Sequence, residues 1–159
     1  MHPSEIQPNT SGRPRVTVAA LIERDGRFLF VEERDDRGRL VINQPAGHVE
    51  AGESLMEAVI RETFEETAWR TEPEAIVGLY QWSRPDGSLS YLRVAIAGRA
   101  ASYDPAAALD EGIECAVWLS PEELAERRDM HRSPLVMRCI EDYLAGERHP
   151  LSIVKSLLA

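Results

Sequence analysis

Between Gly47 and Trp69 the chain reads GHVEAGESLMEAVIRETFEETAW, and no other stretch limits its fold so tightly. Residues 55–67 carry the period of an amphipathic helix. Leu55, Met56, Val59, Ile60 and Phe64 recur at helical spacing, an apolar stripe that a sheet or a second helix must cover. At roughly 100° per residue, Glu62, Glu65 and Glu66 fall within about a third of the circumference, with Arg61 at its edge. Ser54 followed by Glu57 makes a capping box at the start. Gly47 and Gly52 loosen the approach to it.

The acidic face opposes its own helix. Glu62 precedes Glu65 by three positions and Glu66 by four, and like charges at those spacings cost a few tenths of a kcal/mol per pair. Two of the three also lie in the last turn, where the macrodipole disfavours anions. Two readings are open: a solvated glutamate face, or a site whose ligand offsets the repulsion. A hard divalent cation does so most simply, since magnesium typically takes one or two carboxylates together with water and substrate phosphate.

The 159 residues fit one domain of usual size, and 43% hydrophobic with 28% charged residues is the balance of a soluble globular protein. A net charge of −9 without a basic patch argues against nucleic acid. Any anionic substrate must then be met by metal ions and a few placed arginines. No run has the length of a membrane helix and no hydrophobic signal core opens the chain, so the expected location is cytoplasmic. Cys115 and Cys139 are too few for a disulfide scaffold. No exposed apolar run predicts an oligomer, which leaves monomer or homodimer open.

Residues 1–14 read as a loose tail and 15–159 as a single domain. Val16 to Glu23 and Arg27 to Glu33 are expected strands joined by a tight Asp25-Gly26 turn. Leu40 to Glu50, LVINQPAGHVE, reads as a loop that presents carbonyls, with Asn43, Gln44 and His48 as polar candidates for substrate contact. Strands are expected at Glu74 to Ser83, Leu89 to Ala97 and Cys115 to Leu119, with a turn at Pro85-Asp86-Gly87. Arg93 sits inside a strand, where a charge must point outward or into a cleft and can pair with phosphate bidentately. Trp82, flanked by Arg84, offers a ring face to a substrate or to the core. Ser120, Pro121 and Glu123 open one helix, and Ser133 to Ala145 forms a longer one closed by Gly146, set to cover the sheet face opposite the glutamate helix.

The glutamate stretch resembles the Nudix box: a glycine, five residues, Glu, seven residues, Arg-Glu, an aliphatic, any residue, Glu-Glu, any residue, glycine and an aliphatic. Gly47, Glu53, Arg61, Glu62, Glu65 and Glu66 match it. Thr63 stands in place of the aliphatic and Ala68 in place of the closing glycine. An alanine in a left-handed cap costs roughly 1–2 kcal/mol, so a reshaped helix end is expected there. The resemblance implies an α/β fold, the Nudix α/β/α sandwich, with a mixed sheet between the box helix and C-terminal helices. It further implies hydrolysis of a diphosphate linked to another moiety, with Mg2+ or Mn2+ as cofactor. By position, Glu62, Glu65 and Glu66 would be metal ligands, helped by the main-chain carbonyl near Ala46 or Gly47. Arg61 would orient the glutamates and Glu53 would support the loop. Glu62 is the first choice for the proton acceptor, and an acidic residue between Asp110 and Glu114 the second.

A closer resemblance extends from about Arg15 to Leu151. The segments NQPAGH (Asn43 to His48), Gln81-Trp82, Pro85-Asp86, Leu92-Arg93, RSPLV (Arg132 to Val136) and Gly146 to Leu151 are similar to the NudJ branch of that family. It implies removal of the terminal phosphate, as orthophosphate, from thiamine pyrophosphate, hydroxymethylpyrimidine pyrophosphate and nucleoside di- and triphosphates. Arg93, Trp82, Gln44 and Arg84 are the candidate substrate contacts. The alternatives are a nucleoside triphosphate pyrophosphohydrolase and a non-catalytic Nudix domain that senses a nucleotide.

Overall fold

The computed structural model describes residues 12–159, so most of the expected tail, residues 1–11, lies outside the described residues. The strand β1 (Arg15–Arg24) is the axis of the fold, and its run VAALI is buried on both faces. That continuous apolar run suits a strand with layers on either side. β1 turns through Asp25 (φ 52°) and Gly26 (φ 76°) into β2 (Arg27–Arg34), the paired positive φ values of a tight hairpin.

After β1 and β2 come β3 (Leu40–Asn43), β4 (Ala46–His48), the helix α1 (Leu55–Thr67), β5 (Trp69–Ser83), β6 (Ser90–Tyr103) and β7 (Ile113–Leu119). The helices α2 (Pro121–Glu126) and α3 (Leu135–Leu144) and two short 3-10 turns complete the chain. The strands form a seven-stranded mixed sheet in the order β3-β2-β1-β6-β5, with β4 added on β1 and β7 on β2. β1 and β6 run parallel, while the other strand pairs are antiparallel. Alternation along β1 and β6 fills two cores. Val18, Ala20, Ile22, Val94 and Ile96 pack on Ala58 and Val59 of α1. On the other face Leu21, Ala95 and Ala97 pack with Leu124 of α2 and Val136, Cys139 and Ile140 of α3. The result is the expected α/β/α sandwich.

Several boundaries differ from the sequence reading. The segment Leu40 to Glu50 is not only loop, since it holds β3 and β4. β5 begins at Trp69 instead of Glu74 and β6 runs on to Tyr103, because three register shifts between them let Pro73 and Gly78 sit inside a long twisted pair. The end of α1 is not reshaped: Ala68 holds the left-handed cap at φ 64° and ψ 11°, its N–H bonded to Phe64 O at 2.9 Å. Tertiary contacts over-determine this residue. It is buried, and its carbonyl accepts from Asp104 N at 3.0 Å. Thr63 is buried as well, and its hydroxyl donates to Val59 O at 2.7 Å, so the polar atom in the aliphatic position is satisfied.

Candidate active site

Ser54 caps α1 by accepting from Glu57 N at 3.1 Å, which fixes the start of the helix and aims its last two turns at β4. β4 pairs antiparallel with β1, Gly47 opposite Val18 and His48 opposite Thr17. Because side chains alternate across a strand, Gly47 faces α1 while Thr17 and His48 face the α3 side. A Cβ at Gly47 would collide with the carboxylate of Glu62, so the glycine is required by close approach and not by a positive φ. One turn on, Glu66 is buried and accepts from Ala46 N at 2.8 Å. β4 is therefore gripped by two glutamates of α1.

Arg61 organises the remaining charge. Its Nε and Nη2 donate to the two oxygens of Glu53 at 2.6 and 2.9 Å, a bidentate pair. Nη1 donates to Glu62 at 2.8 Å and Glu65 at 3.1 Å, and Nη2 reaches His48 O at 3.1 Å. These hydrogen bonds hold the Glu53 carboxyl below the ordinary glutamate value, with Arg61 the main cause, and raise the Arg61 guanidinium further. The deeper glutamates shift the other way. Burial, opposed by Arg61 and aided by the charges of Glu65 and Asp110, lifts Glu62. Burial, opposed by the Ala46 N–H and aided by Glu33, Glu62 and Asp110, pushes Glu66 up to about 9. The acidic loop is tied to this corner through Asp110 N, which donates to Glu65 O at 2.9 Å. Glu114 turns elsewhere, to Arg34 at 2.9 Å.

On the α3 side of β4 opens a cleft of about 900 Å³. Ala46, Gly47 and His48 form one edge, Trp82, Arg84 and Tyr91 another, and Arg93 lies within it. Trp82 and Tyr91 stack with ring centroids 5.9 Å apart and planes 20° apart. Arg84 Nη1 lies 3.5 Å from Asp36 on the rim. Arg93, on β6 opposite Thr17, is only 6% exposed. It donates from Nη1 to Gln44 Oε1 and from Nη2 to Asn43 Oδ1, each at 3.0 Å.

Of the residues singled out from sequence, Glu53, Arg61, Glu62, Glu65, Glu66 and Gly47 come together at one end of α1, and Arg93, Trp82, Arg84, Asn43 and His48 share the cleft. Gln44 does not line it. At 1% exposure, with Nε2 donating to Val136 O at 2.7 Å, this side chain is a buried strut and offers a substrate no contact in this structure. Thr17, His131, Arg132 and Arg138 also line the cleft and were not foreseen. Only Arg132 had a mark in the sequence, its place in RSPLV; the others are brought there by sheet register and by α3.

A match to the NUDIX domain family covers residues 12–139. The chain belongs to the Nudix family. Phosphatase NudJ of Escherichia coli strain K12 is 39% identical over 142 residues, spanning 89% of this chain and 91% of that protein, and the Shigella flexneri NudJ gives the same figures. Among solved structures, a NUDIX hydrolase from Nitrosomonas europaea superposes with a TM-score of 0.88 at 46% identity, covering 91% of this chain and 97% of the other. A UDP-X diphosphatase, at 18% identity and a TM-score of 0.67 over 86% of this chain and 66% of its own, shares the fold.

The protein is thus a Nudix hydrolase that acts on small phosphate-containing molecules, and no helix among its described residues is long and apolar enough to cross a membrane. Nudix hydrolases generally use divalent metals. Among the described residues no three carboxylate, imidazole or thiol groups stand at metal-ligand spacing, and Glu62 and Glu65 are both bonded to Arg61. The residues nonetheless fit a hard cation. Their donors are all oxygen, Gly47 lets the Glu62 carboxylate sit against β4, and the buried Glu66 carboxylate has an N–H but no countercharge among the described residues.

Proposed function

We propose that this Nudix hydrolase removes the terminal phosphate of organic di- and triphosphates, among them thiamine pyrophosphate, hydroxymethylpyrimidine pyrophosphate and nucleoside di- and triphosphates, and releases orthophosphate. The observation that carries this reading is Arg93, a buried cation whose side-chain partners among the described residues are neutral amides, in a cleft whose edge is β4, the strand bonded by Glu66 and packed against Glu62. The 39% identity to Phosphatase NudJ supports the orthophosphate assignment.

Glu62, Glu65, Glu66 and the carbonyl near Ala46 or Gly47 would hold Mg2+, with Mn2+ as a substitute. Such a cation supplies charge neutralisation for the phosphoryl oxygens. Arg61 keeps the glutamates oriented, and Glu53 holds Arg61 and the loop. Arg93 binds the terminal phosphoryl group across β4, which fixes which phosphorus faces the attacking water. Water forms the new O–P bond, its proton passes to Glu62, or else to Asp110, and the bridging P–O bond breaks to free orthophosphate. Trp82 and Arg84 receive the remainder of the substrate at the cleft mouth. The substrate is a small molecule and not a nucleic acid, and the enzyme works in the cytoplasm as a monomer or a homodimer.

The test is product analysis with magnesium and GTP, ADP, thiamine pyrophosphate or hydroxymethylpyrimidine pyrophosphate as substrate. Orthophosphate and GDP from GTP, with activity lost in Glu66→Gln, is the expected result. Pyrophosphate and GMP would overturn the terminal-phosphate assignment, and an undiminished Glu66→Gln would remove the metal-ligand assignment.

A further inference from the structure

A buried arginine that must keep one geometry is commonly held by carboxylates, as Arg61 is. Arg93 is held otherwise. Its partners are the side-chain oxygens of Asn43 and Gln44, and its buried Nε makes no hydrogen bond among the described residues. The orientation of both amides is forced. Gln44 Nε2 is committed to the Val136 carbonyl at 2.7 Å, so only Oε1 can face the guanidinium; a flip would set donor on donor and acceptor on acceptor. Asn43 Nδ2 faces Glu33 Oε1 at 3.5 Å, which turns Oδ1 to Arg93. The charge of Glu33 is matched by Arg132 at 2.9 Å.

A carboxylate at either position would pair with Arg93 and cancel its charge, and it would also set an acceptor against the Val136 carbonyl at 44 or against Glu33 at 43. Burying a guanidinium without a carboxylate is costly, and an anion arriving in the cleft offsets that cost. Two of the five N–H donors of Arg93 are used by the amides, and the second N–H on each Nη is left over.

We infer that Asn43 and Gln44 are positioning residues whose neutral amide oxygens aim Arg93 while leaving its charge available to a phosphoryl group, with Gln44 referring that aim to the first turn of α3 through Val136. The inference rests on the reading of Arg93 given under Proposed function.

Steady-state hydrolysis of GTP and inhibition by orthophosphate would be compared in wild type, Gln44→Glu, Asn43→Asp, Gln44→Met and Arg93→Ala, with thermal melts as a check on folding. Gln44→Glu and Asn43→Asp should each raise KM and the orthophosphate inhibition constant by about tenfold or more, the scale of one charge-assisted hydrogen bond. Gln44→Met keeps the charge and loses only the aim, so kcat should fall while orthophosphate inhibition stays within about threefold of wild type. The inference is overturned if the folded acidic variants keep wild-type inhibition, or if Gln44→Met weakens inhibition as much as Gln44→Glu does. Asn43, at the cleft surface, supplies the acidic variant should Gln44→Glu fail to fold. Wild-type KM and inhibition in Arg93→Ala would instead remove the reading of Arg93 on which this one stands.

Discussion

Arg61 and Arg93 lie on opposite faces of the same sheet and keep opposite company. Arg61 bonds three carboxylates, those of Glu53, Glu62 and Glu65, and its charge is more than matched. Arg93, deeper, bonds two neutral amides and enters no ion pair among the described residues. The first is an internal counterion that keeps an acidic corner folded; the second is a cation kept unmatched. Arg61 bonds the His48 carbonyl of β4, and Arg93 sits one strand further across the sheet, opposite Thr17, which pairs with His48.

Matched methionine substitutions would break this contrast most sharply. Arg61→Met leaves Glu53 and Glu62, both largely buried, without their donor, and should lower stability by about 1–3 kcal/mol, roughly 3–10 °C in Tm for a chain of this size. Activity should fall by about 10–100-fold, the usual loss when a group that orients ligand side chains is removed. Arg93→Met removes an uncompensated buried charge but leaves the Asn43 and Gln44 amide oxygens without their donor, so the two effects oppose each other. Its Tm should fall less than that of Arg61→Met while activity is lost. Thermal melts that fall equally for both variants would show that the two arginines are structural in the same sense.

Gly47→Ala disturbs the acidic corner without touching either arginine. The new methyl meets the far end of the flexible Glu62 side chain, so the backbone has no need to move. Stability should change by under about 1 kcal/mol. Displacing the carboxylate by an ångström or so should cost about 100-fold in kcat. A kcat within a few-fold of wild type would mean that the position of Glu62 is not critical.

What the sequence made legible follows the same divide. The acidic corner is local: Arg61, Glu62, Glu65 and Glu66 are on one helix, and their like charges at positions three and four apart violate helix electrostatics visibly enough to single them out. The bounds Leu55–Thr67 follow from a capped apolar stripe and agree with the structure. The Arg93 centre is non-local. Its partners sit 49 and 50 residues away, and Gln44 takes its role from Val136, 92 residues off, so a polar residue in a loop-like stretch reads as a substrate contact although it is a strut. Strand β4 was hidden because Pro45 and Gly47 read as loop, whereas pairing with β1 determines it. Long strands broken by bulges were likewise shortened, since a proline at 73 interrupts the pattern that β6 restores.

Ala68 carries the smallest expected effect and tests whether the end of α1 is strained for a reason. Its left-handed conformation costs an alanine roughly 1–2 kcal/mol that glycine avoids, while its buried methyl returns about 0.8 kcal/mol. Ala68→Gly should therefore stabilise by up to about 1 kcal/mol, which corresponds to about 2–4 °C in Tm. Activity should be retained, because the cap carbonyl would still hold Asp104 N, and Glu65 O would still hold Asp110 N at the acidic corner. A drop in Tm would show that the methyl matters more to packing than the strain it imposes. A gain in Tm joined to a loss of kcat would mean that the stiffness of alanine at this cap, and not only its geometry, keeps the Asp110 loop against the glutamates.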